Sequence, residues 1–304
     1  MKNIQADIKS GNFKQVYLLY GEEAYLKQQY KQNLVKALNP DGDTMNFNHY
    51  EGKGIDVKQL IDLCETMPFF AERRVVLLED TGFFKNKCEE LADYMKELPD
   101  YLYLVFAETE VDKRNRMYKA VKACGSIAEF IRQDEKTLMR WAAGILGKAG
   151  KKITQRDMEL LLTKTGTDMG NLRMEMEKLI SYTEGRDVVT AEDIEEICTT
   201  QTTNRIFDMV RAVTEKNQKR ALELYYDLLT LKEPPMRILF LLAKQYRQLL
   251  LAKQFAAAGL AQTEIASKLG VPGFVVRNIT TCARAYTISE LEQAVKDFVD
   301  AEES

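Results

Sequence analysis

The sequence predicts a parallel α/β module followed by two all-helical domains, and three observations carry this prediction. Five strand-like runs within residues 1–133 alternate with helix-like segments, and strands separated by helices form a mostly parallel sheet with helices on both faces. Strand-like runs stop near Asp134. A polar stretch at 199–204 then marks a hinge. We expect an α/β module at 1–133, a first helical domain at 134–203 and a second at 204–304.

Composition narrows the classes of function. The 304 residues, 45% of them hydrophobic, suffice for two or three domains, and the net charge of −3 gives no global basic field toward nucleic acid or membrane. No run resembles a signal peptide or a membrane span. Scattered cysteines without a C-x-x-C pair argue against a disulfide framework and a zinc site: Cys64, Cys88, Cys124, Cys198 and Cys282. We expect a cytoplasmic protein with no metal and no membrane partner.

The α/β module opens with an apolar strand, Val16–Tyr20, which ends at Gly21 and leads into a helix through Leu38. Alternation and compact apolar runs predict four further strands, and amphipathic spacing predicts three further helices. The predicted strands are 46–50, 75–78, 101–106 and 127–130, and the predicted helices are 57–66, 88–98 and 116–123.

The turn at Gly21 occupies the place of a phosphate-binding loop. A P-loop NTPase carries G-x-x-x-x-G-K-[ST] there, and its backbone N–H groups, lysine and hydroxyl hold phosphate and Mg²⁺. We interpret the turn here as degenerate: Gly21 is present, and the second glycine, the lysine and the hydroxyl are missing. Glu22 and Glu23 would repel phosphate but complement a free helix N-terminus. We predict that this turn closes on itself and holds no nucleotide cofactor.

Other signals of catalysis are weak. Glu79 and Asp80 end an apolar strand like the Mg²⁺-binding acids of NTPases, but an acid that caps the next turn is the favoured interpretation. His49 is the only histidine, and no cysteine lies near it in sequence. We predict no catalytic residue.

Helices account for the remainder of the chain. Gly166 ends the helix that begins at Thr154, and a near capping box at Thr190–Asp193 marks the start of another. The predicted helices are 137–149, 154–166, 169–182, one after Thr190, 206–214, 218–231, 235–258, 263–269, 273–285 and 289–301.

The run Met67-Pro68-Phe69-Phe70 stands out between a helix and a strand. Pro68 disfavours helical geometry at Met67, so we expect a turn. Adjacent phenylalanines point in different directions, and an exposed aromatic pair on a turn suits a wedge for a partner's pocket. The alternative, which the residues alone slightly favour, is that both rings cap the sheet edge as core. Arg73 and Arg74 could frame the contact.

Residues 263–285 resemble a helix-turn-helix. Its second helix would have to contact base edges, but Phe274, Val275, Val276 and Ile279 are apolar. This favours a packed helical hairpin, and a DNA-binding regulator remains an alternative.

Lys148, Lys151 and Lys152 form a small basic cluster. Such a cluster could contact DNA phosphate, and the alternative is a solvated surface.

The order of these segments resembles the delta subunit of the bacterial DNA polymerase III clamp loader. The segments that carry the resemblance are 16–26, 67–70 before 73–78, 168–179 and 269–274. The resemblance implies an AAA+-like module, a helical lid and a helical collar. It also implies no working nucleotide site and no intrinsic ATPase activity, although the family is part of a DNA-directed DNA polymerase holoenzyme.

The resemblance further implies partners and a contact surface. Phe69 and Phe70 would enter a hydrophobic pocket of the sliding clamp, with Met67 in support. The collar would join the ATPase subunits of the loader, and primed DNA would be a partner within the assembled complex. We therefore hypothesise a non-catalytic subunit that binds the clamp and helps open it during replication. An active NTPase with a divergent P-loop and the DNA-binding regulator remain as rivals.

Overall fold

The computed structural model describes residues 2–199, 202–271 and 273–303. The chain forms two compact units, Met1–Gln133 and Asp134–Ser304. The predicted further boundary at 203/204 remains a prediction, because residues 200 and 201 of the expected hinge lie outside the described part.

One parallel sheet organises the first unit. Its strands lie in the order β2-β3-β4-β1-β5, and each neighbouring pair is parallel. The predicted parallel sheet is therefore confirmed. The strands are β1 (Val16–Tyr20), β2 (Phe47–Glu51), β3 (Arg74–Glu79), β4 (Leu102–Glu108) and β5 (Ser126–Glu129).

Helices cover both faces of this sheet. Tyr17 and Leu19 pack in one cluster with Ile4 and Leu34, whereas their neighbour Leu18 packs in a second cluster on the opposite face. Because both faces are buried, the strands are continuous apolar runs rather than alternating ones. The helices are α1 (Lys2–Ser10), α2 (Ala24–Leu38), α3 (Val57–Glu65), α4 (Glu89–Tyr94) and α5 (Arg116–Cys124).

Two elements of this unit differ from the prediction. Helix α1 was not predicted; its Ile4 is fully buried, and its Asp7 accepts a hydrogen bond from the Tyr17 hydroxyl at 2.9 Å. Helix α4 ends at Tyr94 rather than at residue 98. Its continuation is a turn, in which the Glu97 N–H donates to the Tyr94 carbonyl at 3.2 Å.

In its described residues, the second unit is helical apart from one short pairing of strands. Strands β6 (Lys152–Ile153) and β7 (Val188–Val189) are parallel neighbours, which corrects the expectation that strands stop at Asp134. The capping box of Thr190 and Asp193 is present. No helix in the described ranges has the length and apolar composition that a membrane span requires. The helices are α6 (Glu135–Lys148), α7 (Gln155–Thr165), α8 (Met169–Tyr182), α9 (Ala191–Ile197), α10 (Thr202–Thr214), α11 (Gln218–Thr230), α12 (Pro235–Ala257), α13 (Gln262–Leu269), α14 (Gly273–Ala283) and α15 (Ile288–Glu303).

Candidate functional site

The loop that precedes β3, residues 67–73, exposes an apolar cluster at the amino edge of the sheet. Met67 is 75% exposed, Phe69 57% and Phe70 94%. The two phenylalanine rings pack edge to face with their centroids 4.4 Å apart. The alternative in which both rings are buried core is therefore wrong. The two rings form one continuous aromatic surface that faces solvent, and we call it the aromatic pair.

Phe70 also has an unusual backbone conformation. Its φ is +50°, in the left-handed region that bulky residues rarely adopt. This conformation costs an L-residue about 1–2 kcal/mol. Such strain concentrates at functional sites, where the surrounding structure enforces it. The strain thus marks the aromatic pair as a candidate site independently of its exposure.

Two buried side chains hold this loop from below. Asn46 is 4% exposed and Arg74 5% exposed. The Asn46 amide accepts from the Phe69 N–H at 2.7 Å and donates to the Phe69 carbonyl at 2.8 Å. The Arg74 guanidinium donates to the carbonyls of Thr66 at 2.8 Å and Met67 at 3.3 Å. The loop backbone is therefore fixed at both Met67 and Phe69.

Arg73 and Arg74 contact groups of the module itself, and their framing of the aromatic pair stays a prediction. Arg74 lies beneath the loop, because its guanidinium satisfies loop carbonyls there. The guanidinium carbon of Arg73 lies 5.2 Å from the ring centroid of Phe13 and 5.4 Å from that of Tyr103. Both arginines thus have structural contacts within the module.

The Gly21 turn lies at the opposite, carboxyl edge of the sheet, after β1. Gly21 has φ +125°, and a Cβ built there would lie 2.2 Å from the carbonyl oxygen of Phe130. The Glu23 N–H donates to that same oxygen at 3.0 Å. The turn therefore packs against the end of β5. A P-loop would direct its N–H groups at phosphate, but here the Glu23 N–H is bonded to the Phe130 carbonyl.

The interpretation that this turn lacks the P-loop lysine is wrong. Lys27 follows Gly21 by six residues, which is the spacing of the lysine in the P-loop pattern. Leu26 and Gln28 stand where that pattern has glycine and the hydroxyl. The Lys27 ammonium donates to the Glu108 carbonyl at 2.9 Å, and burial lowers the pKa of Lys27.

The two acids at the end of β3 have partners within the module. Glu79 pairs with the Lys31 ammonium at 2.5 Å and with His49 Nε2 at 2.9 Å. Asp80 accepts from the N–H of Thr109 at 2.9 Å and from its hydroxyl at 2.8 Å. The favoured interpretation, in which strand-end acids cap turns, agrees with these contacts.

The residues at the carboxyl edge of the sheet do not fit a Mg²⁺–nucleotide. The buried Glu108 carboxylate accepts from the Thr81 hydroxyl at 2.6 Å and the Thr81 N–H at 3.1 Å. Burial raises the pKa of Glu108, and the hydrogen bonds from Thr81 offset part of that rise. Within the described ranges, no group of His, Cys, Asp or Glu is arranged to hold a metal ion. Lys31 and Glu79 pair with each other at this edge, whereas Lys27, Asp80 and Glu108 bond neutral groups of the module.

The hairpin of α13 and α14 is packed rather than open. Gly270 ends α13 in the left-handed conformation, and Val276 and Ile279 of α14 are fully buried in one cluster with Ile265. The Thr281 hydroxyl donates to the Arg277 carbonyl at 2.8 Å, inside the helix. These contacts favour the helical hairpin over a DNA-reading helix. Pro272 and the side chain of Phe274 lie outside the described part.

The three lysines of the basic cluster, Lys148, Lys151 and Lys152, have different environments. The Lys151 ammonium donates to the carbonyls of Thr183 and Arg186, both at 2.6 Å, so it caps the end of α8. Lys148 and Lys152 are exposed. The geometry leaves those two as the better candidates for a phosphate contact.

The fold and site define a parallel-sheet α/β module that is followed by a helical C-terminal region. The family model for the delta subunit of DNA polymerase III matches residues 17–130, and the model for the C-terminal domain of the same subunit matches residues 203–304. Together these matches cover most of the chain. The chain belongs to the DNA polymerase III delta subunit family.

Individual relatives agree with this membership. The DNA polymerase III subunit delta of Bacillus subtilis is 26% identical over 307 residues, covering 97% of this chain and 88% of the relative. A probable DNA polymerase III subunit delta of Aquifex aeolicus is 22% identical over 270 residues, covering 84% of this chain and 75% of the relative. The solved structure of a DNA clamp loader delta protein of Bacillus subtilis matches with a TM-score of 0.66 at 24% identity. The match covers 99% of this chain and 92% of that protein. This last match shows a shared fold.

Proposed function

We propose that this delta subunit binds the sliding clamp through Phe69 and Phe70, with Met67 in support, and helps open the clamp for loading onto primed DNA in the cytoplasm. The observation that carries the proposal is the exposed aromatic pair on a strained and fixed loop. Burial of a phenylalanine side chain contributes roughly 1.5–3 kcal/mol. Two adjacent rings on a rigid loop have the properties of an interface hot spot.

Clamp opening needs a difference in affinity, because a ligand shifts an equilibrium only by its preference for one state. In this proposal the aromatic pair binds the opened clamp more tightly than the closed one. The collar joins the ATPase subunits of the loader, and ATP bound by those subunits drives the cycle. Within the assembly, Lys148 and Lys152 are the candidates for contact with DNA phosphate.

One observation favours a second function, an active NTPase. Lys27 has the spacing of a P-loop lysine. Against it, the Glu23 N–H and the Lys27 ammonium are engaged by backbone carbonyls, and Glu22 and Glu23 would repel phosphate. Calorimetric titration of the purified chain with Mg²⁺–ATP decides between them, and measurable binding would favour the NTPase.

The proposal is tested by clamp binding to the purified chain without nucleotide. The double variant Phe69→Ala/Phe70→Ala is expected to raise the Kd at least about 100-fold, because about 3 kcal/mol or more of burial is lost. Its control is Tyr226→Ala/Phe240→Ala, which removes two rings that are 62% and 57% exposed on α11 and α12. The control should bind like the unaltered chain. Undiminished binding by the first variant would exclude the aromatic pair as the contact.

A further inference from the structure

Asn46 lies immediately before β2, at the same sheet edge as the aromatic pair. It is 4% exposed, although it stands beside Met45, which is 64% exposed. Its side chain bonds both backbone polar groups of Phe69, the N–H at 2.7 Å and the carbonyl at 2.8 Å. One side-chain amide thus makes the two bonds that a neighbouring strand would otherwise supply.

Phe69 needs this partner because it lies outside the sheet ladder. The pairing of β2 with β3 begins at Phe47 and Val75, so the ladder leaves the loop residues unpaired. A loop without such bonds samples many conformations, and binding must then order it at a cost in affinity. A loop that is already fixed avoids that cost.

We propose that Asn46 is a positioning residue that holds the aromatic pair in its binding conformation before the partner arrives. This inference rests on the proposed function of the pair. Arg74 fixes the Met67 end of the loop, and Asn46 fixes the Phe69 end. With Phe69 held at both its N–H and its carbonyl, the next residue, Phe70, projects outward at φ +50°. Asn46 acts on the partner through Phe69, without a contact of its own.

The test replaces Asn46 and leaves both phenylalanines in place. We expect Asn46→Ala to raise the clamp Kd about tenfold, because the loop must be ordered on binding. The Phe69 amide should also lose its protection from hydrogen exchange, since its acceptor is gone. Asn46→Asp keeps an acceptor for the Phe69 N–H but loses the donor, and it would place a buried carboxylate against that of Asp43, which accepts from the Asn46 amide at 2.5 Å. Its Kd should therefore rise at least as far as that of Asn46→Ala.

The matched control is Asn115→Ala. The Asn115 amide likewise bonds backbone groups, the N–H of Met117 at 2.8 Å and the carbonyl of Asn86 at 2.9 Å, but it does not touch the loop. Its loss should lower the Tm to a similar extent and leave both the clamp Kd and the exchange of Phe69 unchanged. An equal loss of affinity in the control would show a general effect of stability and overturn the inference.

The outcomes separate this inference from the proposed function. If Phe69→Ala/Phe70→Ala weakens binding but Asn46→Ala does not, the positioning role is wrong and the clamp contact stands. If Phe69→Ala/Phe70→Ala leaves binding unchanged, the proposed function fails, and the positioning role fails with it. Unchanged exchange of the Phe69 amide in Asn46→Ala would also overturn the inference, because the bond would then not order the loop.

Discussion

Two turns on opposite edges of the same sheet each hold a residue at positive φ, for different physical reasons. Gly21 has φ +125° and is crowded by the Phe130 carbonyl, so close packing leaves room for glycine alone. Phe70 has φ +50°, but its side chain is 94% exposed. Nothing in the packing requires a phenylalanine there. Strain that packing explains is structural, and strain at an exposed aromatic residue indicates a contact surface.

The two edges also differ in which side chains they leave available to a ligand. In open α/β sheets the carboxyl edge is the usual place for a ligand. Here that edge is closed by internal pairs, Lys31 with Glu79 and Lys27 with the Glu108 carbonyl. The amino edge instead exposes the aromatic pair. The comparison places the candidate site on the edge that lies away from the nucleotide position.

The largest expected effect tests whether the Gly21 turn is purely structural. Gly21→Ala combines an unfavourable φ with a Cβ 2.2 Å from a backbone oxygen. We expect a loss of about 3 kcal/mol or more in the free energy of unfolding, measured by urea denaturation. The fraction that folds should keep the clamp affinity of the unaltered chain.

Gly11 provides the control for this variant. It also has positive φ, +73°, but a Cβ there would meet nothing within 4 Å. Gly11→Ala should therefore lower the free energy of unfolding only by the cost of the left-handed backbone conformation, about 1–2 kcal/mol. Equal losses for both glycines would show that the contact with Phe130 contributes nothing.

The second effect tests the opposite edge. Phe70→Gly should relieve the left-handed strain and stabilise the fold by up to about 1 kcal/mol, after the extra entropy of glycine in the unfolded chain is subtracted. The same variant should weaken clamp binding at least about tenfold. Phe69→Gly is the control, because Phe69 is not at positive φ, and it should destabilise. A loss of stability in Phe70→Gly would contradict the assignment of strain to Phe70.

Sequence reasoning located the strands and the aromatic loop because their signals are local. The run Val16–Tyr20 is apolar throughout and ends at a glycine, and Pro68 marks the turn at Met67. Helix α1 was missed because its apolar residues are few, and its position depends on distant partners such as Tyr17. Strands β6 and β7 have two residues each, too few for any alternation to be visible.

The supports of the site could not be predicted in the same way. Asn46 lies more than twenty residues before Phe69, and Arg74 resembles any surface arginine in sequence. Their roles depend on the register of β2 against β3, which sequence alone does not fix. The P-loop spacing from Gly21 to Lys27 is different, because it is visible in the sequence itself.

The smallest effect is a pH dependence of the closed edge. Burial raises the pKa of Glu108 above its unfolded value, with a partial offset from the hydrogen bonds of Thr81. The folded state then binds a proton more readily than the unfolded state. This contribution to stability is present below the unfolded pKa, about 4.3, and is lost as the pH rises through the folded pKa. Glu108→Gln lacks this titration and should gain stability relative to the unaltered chain as the pH rises from 4 to 7.

Urea denaturation across that pH range measures the difference between the two chains. Glu97→Gln is the control, because Glu97 is exposed and its loss changes the net charge equally. A difference that grows with pH for Glu108 alone would show that the carboxyl edge carries a buried charge at a cost in stability. A flat difference would mean that the hydrogen bonds from Thr81 balance burial fully. The contrast with the amino edge would then rest on the Gly21 turn and the aromatic pair alone.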